Sequence, residues 1–135
     1  MSVGTLGFRV DRVERERALN KDTESLIAYD YFLLGLKAQS TFTKETMIEA
    51  RSLFETAIEL DPNYAQAYAW LAFVHSNLHA YKLTEDTDRS LEIALEMAQK
   101  AVALSPDDYW SHWAMGYAYK QTGDFDRALA EYERA

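Results

Sequence analysis

Three times along the chain a large residue is followed three positions on by a bulky apolar one, immediately by Gly or Ala, and three later by another packing residue. The copies are Tyr31, Leu34, Gly35 and Ala38; Tyr68, Leu71, Ala72 and His75; and His112, Met115, Gly116 and Tyr119. Each is followed by a second set: Ala50, Phe54, Ala57 and Pro62; Ala94, Ala98, Ala101 and Pro106; and Ala128, Tyr132 and Ala135. A unit that recurs in order cannot bury its apolar side alone, so recurrence dictates stacking. Spacings of three and four put each set on one face of a helix, as do Ile27, Tyr31, Leu34 and Ala38. The expected fold is all-α, helix then turn then helix, repeated.

The punctuation agrees. Asp61-Pro62 and Ser105-Pro106 each place an N-cap residue before a Pro suited to the first helical position, which predicts that each ends one helix and opens the next. Asp107 and Asp108 then fall in the first turn of the following helix, where the helix dipole favours negative charge. Thr43 and the Thr87-Asp88 pair are expected N-caps inside these intervals, and Gly123-Asp124-Phe125 the turn between the last two helices.

The third copy, with Gly116 followed by Ala128, stands at the spacing of the signature W-x2-L-G-x2-Y and resembles a tetratricopeptide (TPR) repeat. That resemblance covers roughly Thr23 to the end and implies an antiparallel helix-pair, right-handed solenoid. It divides the chain into a charged N-terminal segment or linker, residues 1–22, and an array, residues 23–135, with repeats at about 28–62, 63–106 and 107–135, the last truncated. In the segment, Arg12 with Glu16 and Val13 with Arg17 are i,i+4 neighbours. The Gly or Ala of each copy lets two helices approach closely, so a larger side chain there would hold them apart. Two departures from the pattern stand out. The second copy carries ten extra residues around His79 to Asp88 relative to the third, read as a longer first helix and an acidic turn. The chain also stops inside the second helix of the third repeat, which suggests a piece of a longer protein or an end that another molecule covers. Ala28-Tyr29-Asp30 and the run Glu59 to Ala69, behind an Arg-rich lead-in, resemble TPR regions attached to bacterial class III adenylate/guanylate cyclases or winged-helix regulators. No cyclase residues are present, so this implies at most a regulatory appendage.

Composition narrows the functional classes. Fourteen Lys and Arg against 22 Asp and Glu give a net charge of −8, the wrong sign for nonspecific binding to nucleic acid or an anionic membrane. No run is apolar enough for a membrane span or a signal peptide. The absence of Cys removes disulfides, thiolate zinc sites and a cysteine nucleophile, and fits a cytoplasmic setting.

No Gly-rich phosphate loop, G-x-S-x-G elbow or H-E-x-x-H motif is present. The chain is therefore read as no enzyme, with no catalytic residue, metal or cofactor assigned. His75 and His79, four apart near Glu85 and Asp86, could share a helix face as metal ligands. His75 and His112, however, occupy packing slots of the repeat. The run Glu85, Asp86, Asp88, Glu92 and Glu96 is read as a solvated face and turn in preference to a calcium or basic-peptide site.

The aromatics carry the functional expectation. The TPR resemblance implies that first helices line a concave groove, at positions that here are Tyr29, Phe32 and Leu36; Gln66, Ala69 and Phe73; and Trp110, Trp113 and Tyr117. Such a groove suits an apolar or aromatic peptide. It does not match the Lys/Asn/Arg clamp that holds an acidic C-terminal carboxylate, which disfavours chaperone tails. The expected function is a noncatalytic interaction module binding a peptide or neighbouring domain, in cis or in trans, as a regulatory part of a larger bacterial signalling protein. The alternative is a self-association module, a homo-oligomer setting the assembly state of an attached cyclase or regulator. The same rings could instead be core bared by a missing neighbour.

Overall fold

A computed structural model of the protein describes the backbone of residues 4–135 and the side chains of residues 23–135. Six helices follow one another: α1 Gly4–Thr41, α2 Lys44–Leu60, α3 Ala65–Ala80, α4 Thr87–Leu104, α5 Tyr109–Thr122 and α6 Phe125–Arg134, with no strand among the described residues. α1 runs unbroken across residue 22; the Arg12–Glu16 and Val13–Arg17 pairings lie outside the described side chains.

Short connections join α1 to α2, α3 to α4 and α5 to α6, and each pair packs together, so each is an antiparallel hairpin. The hairpins stack through α2 on α3, α4 on α5 and α3 on α5. This is an all-α helical repeat solenoid.

Caps show where the chain turns. Thr43 accepts from the Thr46 amide while Thr46 accepts from the Thr43 amide, a reciprocal box at the start of α2. Gly123, at φ 84°, closes α5 in the left-handed region, and Asp124 opens α6 by accepting from the Arg127 amide.

The two Pro boundaries differ from expectation. Asp61 and Ser105 are C-caps, and the next helices start three residues beyond each Pro, at Ala65 and Tyr109. Asp61 folds back on the Asn63 amide and the Pro62 carbonyl accepts the Tyr68 hydroxyl at 2.9 Å, which fixes a turn where a first helical turn was expected. Asp108 is consequently the N-cap of α5, accepting from the Ser111 amide and hydroxyl, with Asp107 outside the helix. Asp86, not Thr87 or Asp88, caps α4.

The core follows the repeated pattern. Met47, Ala50, Phe54 and Ala57 of α2 and Ala94, Ala98 and Ala101 of α4 are fully buried. Phe32, Leu71, Val74 and Leu78 complete one cluster, and Tyr68, Ala72, Ala114 and Met115 a second, rich in Ala, where helices approach closely. A Cβ added at Gly35 would lie 2.5 Å from the Phe54 ring, and one at Gly116 2.8 Å from the Tyr132 ring. The small residue is thus required by the helix crossing, as its recurrence implied. Leu34 departs from its counterparts: Leu71 and Met115 are buried against a preceding hairpin, whereas Leu34 is exposed on α1.

Candidate functional site

The lateral contact of α3 with α5 positions the site. Trp70, Phe73 and Asn77 recur at three and four residues on α3, and Trp110, Trp113 and Tyr117 do so on α5, so each set forms one helix stripe. Their rings form a continuous chain. Across the helices Trp70 meets Trp110 at 5.2 Å between centroids, and Phe73 meets Trp113 at 4.9 Å and Tyr117 at 5.0 Å. Along the helices Trp70 meets Phe73 at 5.6 Å, Trp110 meets Trp113 at 5.7 Å and Trp113 meets Tyr117 at 5.5 Å. Tilted and edge-on pairs at such separations add about 0.5–1.5 kcal/mol each beyond simple burial, so the surface is stiff before anything binds.

The two ends differ. At one, Tyr109 stands edge-on to Trp110; these rings are 52% and 37% exposed, the accessible part of the chain. At the other, the Tyr117 hydroxyl donates to Asn77 Oδ1 at 2.6 Å. Asn77 is fully buried and its Nδ2 has no partner among the described residues. Burial, then Tyr81 and Tyr132, pushes the Tyr117 phenol pKa up, so it stays a donor.

Of the nine residues expected in the groove, the structure brings Phe73, Trp110, Trp113 and Tyr117 together. Gln66 is exposed on α3, Tyr29 is exposed on α1, and Leu36 is half-buried against the core. Two are corrected. Phe32 is 4% exposed and packs on Phe54 and Tyr64, at 5.7 and 5.0 Å, because α1 crosses α2 through that side chain. Ala69 is buried in the Ala-rich cluster, where close helix packing leaves it no outward face. Phe32 is therefore a packing residue and not part of the surface. Sequence reasoning missed Trp70, Asn77 and Tyr109, although the three-and-four spacing through Phe73 marks the first two.

The histidines have structural surroundings. His75 is buried with Nδ1 unpartnered, and burial, followed by the nearby Arg51 and Arg89 cations, lowers its pKa to about 4, so it is neutral. Its ring lines a cavity of about 530 Å³ between α2, α3 and α4, together with Arg51, Glu55, Tyr68, Leu71 and Met97. His79 Nδ1 lies 2.8 Å from the Thr87 carbonyl and ties the end of α3 to the start of α4. No group of three or more metal-type ligands occurs among the described residues. In the acidic run, Asp86 caps α4, and Glu92 and Glu96 pair with Arg89.

The regulator of microtubule dynamics protein 1-3 family matches residues 18–132, which include the whole aromatic chain. The chain belongs to that family. Among curated proteins, this member resembles the putative adenylate cyclase 3 of Rhizobium meliloti (strain 1021), at 26% identity over 126 residues. That match takes in 93% of this chain and 22% of the relative, so the chain spans about a fifth of the relative's length. Among solved structures, two of MamA superpose with TM-scores of 0.57 and 0.59. They are 24% and 23% identical, and the match covers 79% of this chain in both cases and 55% and 51% of theirs. The likeness is one of fold, a TPR-like helical repeat. No helix among the described residues is long and apolar enough to cross a membrane.

Proposed function

We propose that this family member is a noncatalytic protein-interaction module that presents the α3–α5 aromatic surface to a peptide or a neighbouring domain. The observation that carries the reading is the six-ring chain from Trp70 to Tyr117, preformed by its own contacts and accessible at Tyr109 and Trp110. Rigid aromatic surface binds at little ordering cost and is typical of residues that dominate interface energetics. Under this reading the array comprises repeats at about 28–62, 63–106 and 107–135 of a right-handed solenoid. Tyr29, Leu36 and Gln66 flank the groove.

The match to part of a cyclase supports a place beside a signalling domain in a larger bacterial protein. A cytoplasmic setting accords with a chain lacking Cys.

The test is a peptide-display selection on the immobilised chain, with affinities then read from Trp fluorescence. Selected apolar or aromatic peptides should bind the parent and lose tenfold or more with Tyr109→Ala/Trp110→Ala, while circular dichroism stays unchanged. Equal binding to both forms, or no selected peptide, would overturn the groove.

A further inference from the structure

The outer face of α1 has no role in the aromatic surface. Leu26, Ile27, Leu33 and Leu34 are 68%, 42%, 44% and 51% exposed, a cluster of four large aliphatic side chains within two and a half turns. Their spacing is not scattered. Leu26, Asp30, Leu33 and Lys37 step by four, three and four, the 4-3 alternation that keeps one seam facing a partner helix. Ile27 and Leu34 widen the seam on one side. The opposite side of the same helix, through Ala28, Phe32, Gly35 and Ala38, is already buried against the chain's own core, so the seam points away from it.

The charges within the seam specify the occupant. Asp30 and Lys37 are exposed, and neither forms an ion pair among the described residues. Two copies of α1 run in parallel would set Asp30 against Asp30 and Lys37 against Lys37. Run antiparallel about a two-fold axis near Leu33 and Leu34, each Asp30 meets the other copy's Lys37, each Leu33 meets the other copy's Leu34, and Leu26 and Ile27 lie along the other copy's Thr41 and Ser40. One such contact generates its symmetric twin, so the patch is self-complementary, as a closed dimer requires.

We propose that the outer face of α1 is a homodimer interface in which a second copy of this chain packs antiparallel along Leu26–Thr41, with Leu33 against Leu34 at its centre and an Asp30–Lys37 pair on either side. The surface is separate from the α3–α5 aromatic chain, and either can fail without the other. Because the pairing must desolvate two ion pairs as well as bury leucine, it is a reversible, concentration-dependent association.

Sedimentation equilibrium and light scattering on the full chain test it. The mass should rise with concentration toward twice the 15.5 kDa of the monomer. Leu33→Glu/Leu34→Glu, both at exposed positions, should return it to the monomer with unchanged helicity. Asp30→Lys should weaken the dimer tenfold or more, Lys37→Asp likewise, and the two together should restore it, because the exchange recreates both pairs. A monomer at all concentrations overturns the proposal. So does a dimer unaffected by the leucine variants, or one in which the double charge exchange is no better than either single change.

Discussion

His112 of α5 and Glu131 of α6 face each other at 2.8 Å, both side chains largely buried. The other ring nitrogen of His112 donates to the Pro106 carbonyl. With an acceptor at each nitrogen, the protonated form of the imidazole is favoured. The Glu131 hydrogen bond, with a further contribution from Pro106, raises its pKa above the ordinary value, against the opposing effect of burial.

The two buried histidines therefore give opposite pH dependences. His112, with a raised folded pKa, contributes stability that is fully present below its unfolded value of about 6.5 and is lost as pH rises through the folded value. His75, lowered to about 4, contributes stability present above about 6.5 and lost as pH falls toward 4. Thermal stability should pass through a maximum on the mildly acidic side of neutrality. Glu131→Gln should remove the fall on the alkaline side and cost about 1.5–3 kcal/mol at pH 6, and His75→Phe should flatten the acidic limb. Melting curves from pH 4 to 9, with NMR titration of the two imidazoles, check both; a His112 resonance that titrates below about 6.5 contradicts the assignment.

The two crossing glycines should respond unequally to Ala. Ala gains about 1 kcal/mol of helix propensity over Gly, and the crossing must exceed this to destabilise. At Gly35 the new methyl would meet Phe54, fully buried with nowhere to move, so Gly35→Ala should cost about 1–3 kcal/mol net. At Gly116 it would meet Tyr132, a half-buried ring on the final helix, and the Ala128 carbonyl oxygen at 3.1 Å, so Gly116→Ala should destabilise, but by less than Gly35→Ala. Larger residues overpack the crossing: Gly116→Leu and Ala101→Leu should each lose about 1–3 kcal/mol in urea unfolding.

Tyr117 and Asn77 are separated by 40 residues and joined by one hydrogen bond of 2.6 Å. Tyr117→Phe should cost about 1–3 kcal/mol, because it leaves buried Asn77 without a partner at either end of its amide. Asn77→Leu in that background should recover much of the loss. A double-mutant cycle measures this coupling, and additive effects would show that the bond contributes nothing.

Phe42 and Lys82 both adopt left-handed backbone, at φ 59° and 53°, which side chains resist by about 1–2 kcal/mol. Their substitutions should nevertheless diverge. Lys82 is exposed, and Lys82→Gly should be neutral or stabilising by up to about 1 kcal/mol. The Phe42 ring stands edge-on to Tyr81 at 5.3 Å, so Phe42→Gly loses that contact and should destabilise. Melting temperatures of the two variants test the contrast.

Helix pairing and the small residue at each crossing were legible because both follow from spacing along one helix: Ala50, Phe54 and Ala57 announce their shared face without reference to anything else. The boundaries at Pro62 and Pro106 were not, since the hydroxyl of Tyr68 and the side chain of Asp108 act from later in the chain to set where the next helix begins. The candidate surface divides in the same way. Trp110, Trp113 and Tyr117 share a visible stripe, but the burial of Phe32 depends on how α1 crosses α2, and the Asn77–Tyr117 bond on how α3 lies against α5. Helical periodicity encodes neither crossing.

Because, among the described residues, contacts run only between hairpins that adjoin in sequence, the molecule behaves as a short one-dimensional chain of coupled units. Its middle hairpin is braced from both sides and the others from one. Amide exchange should be slowest in α3 and quicken toward α6, whose Phe125 and Leu129 remain exposed. The solenoid would then open as a zipper does, from an end, with the aromatic chain split between the last unit to yield and one of the first.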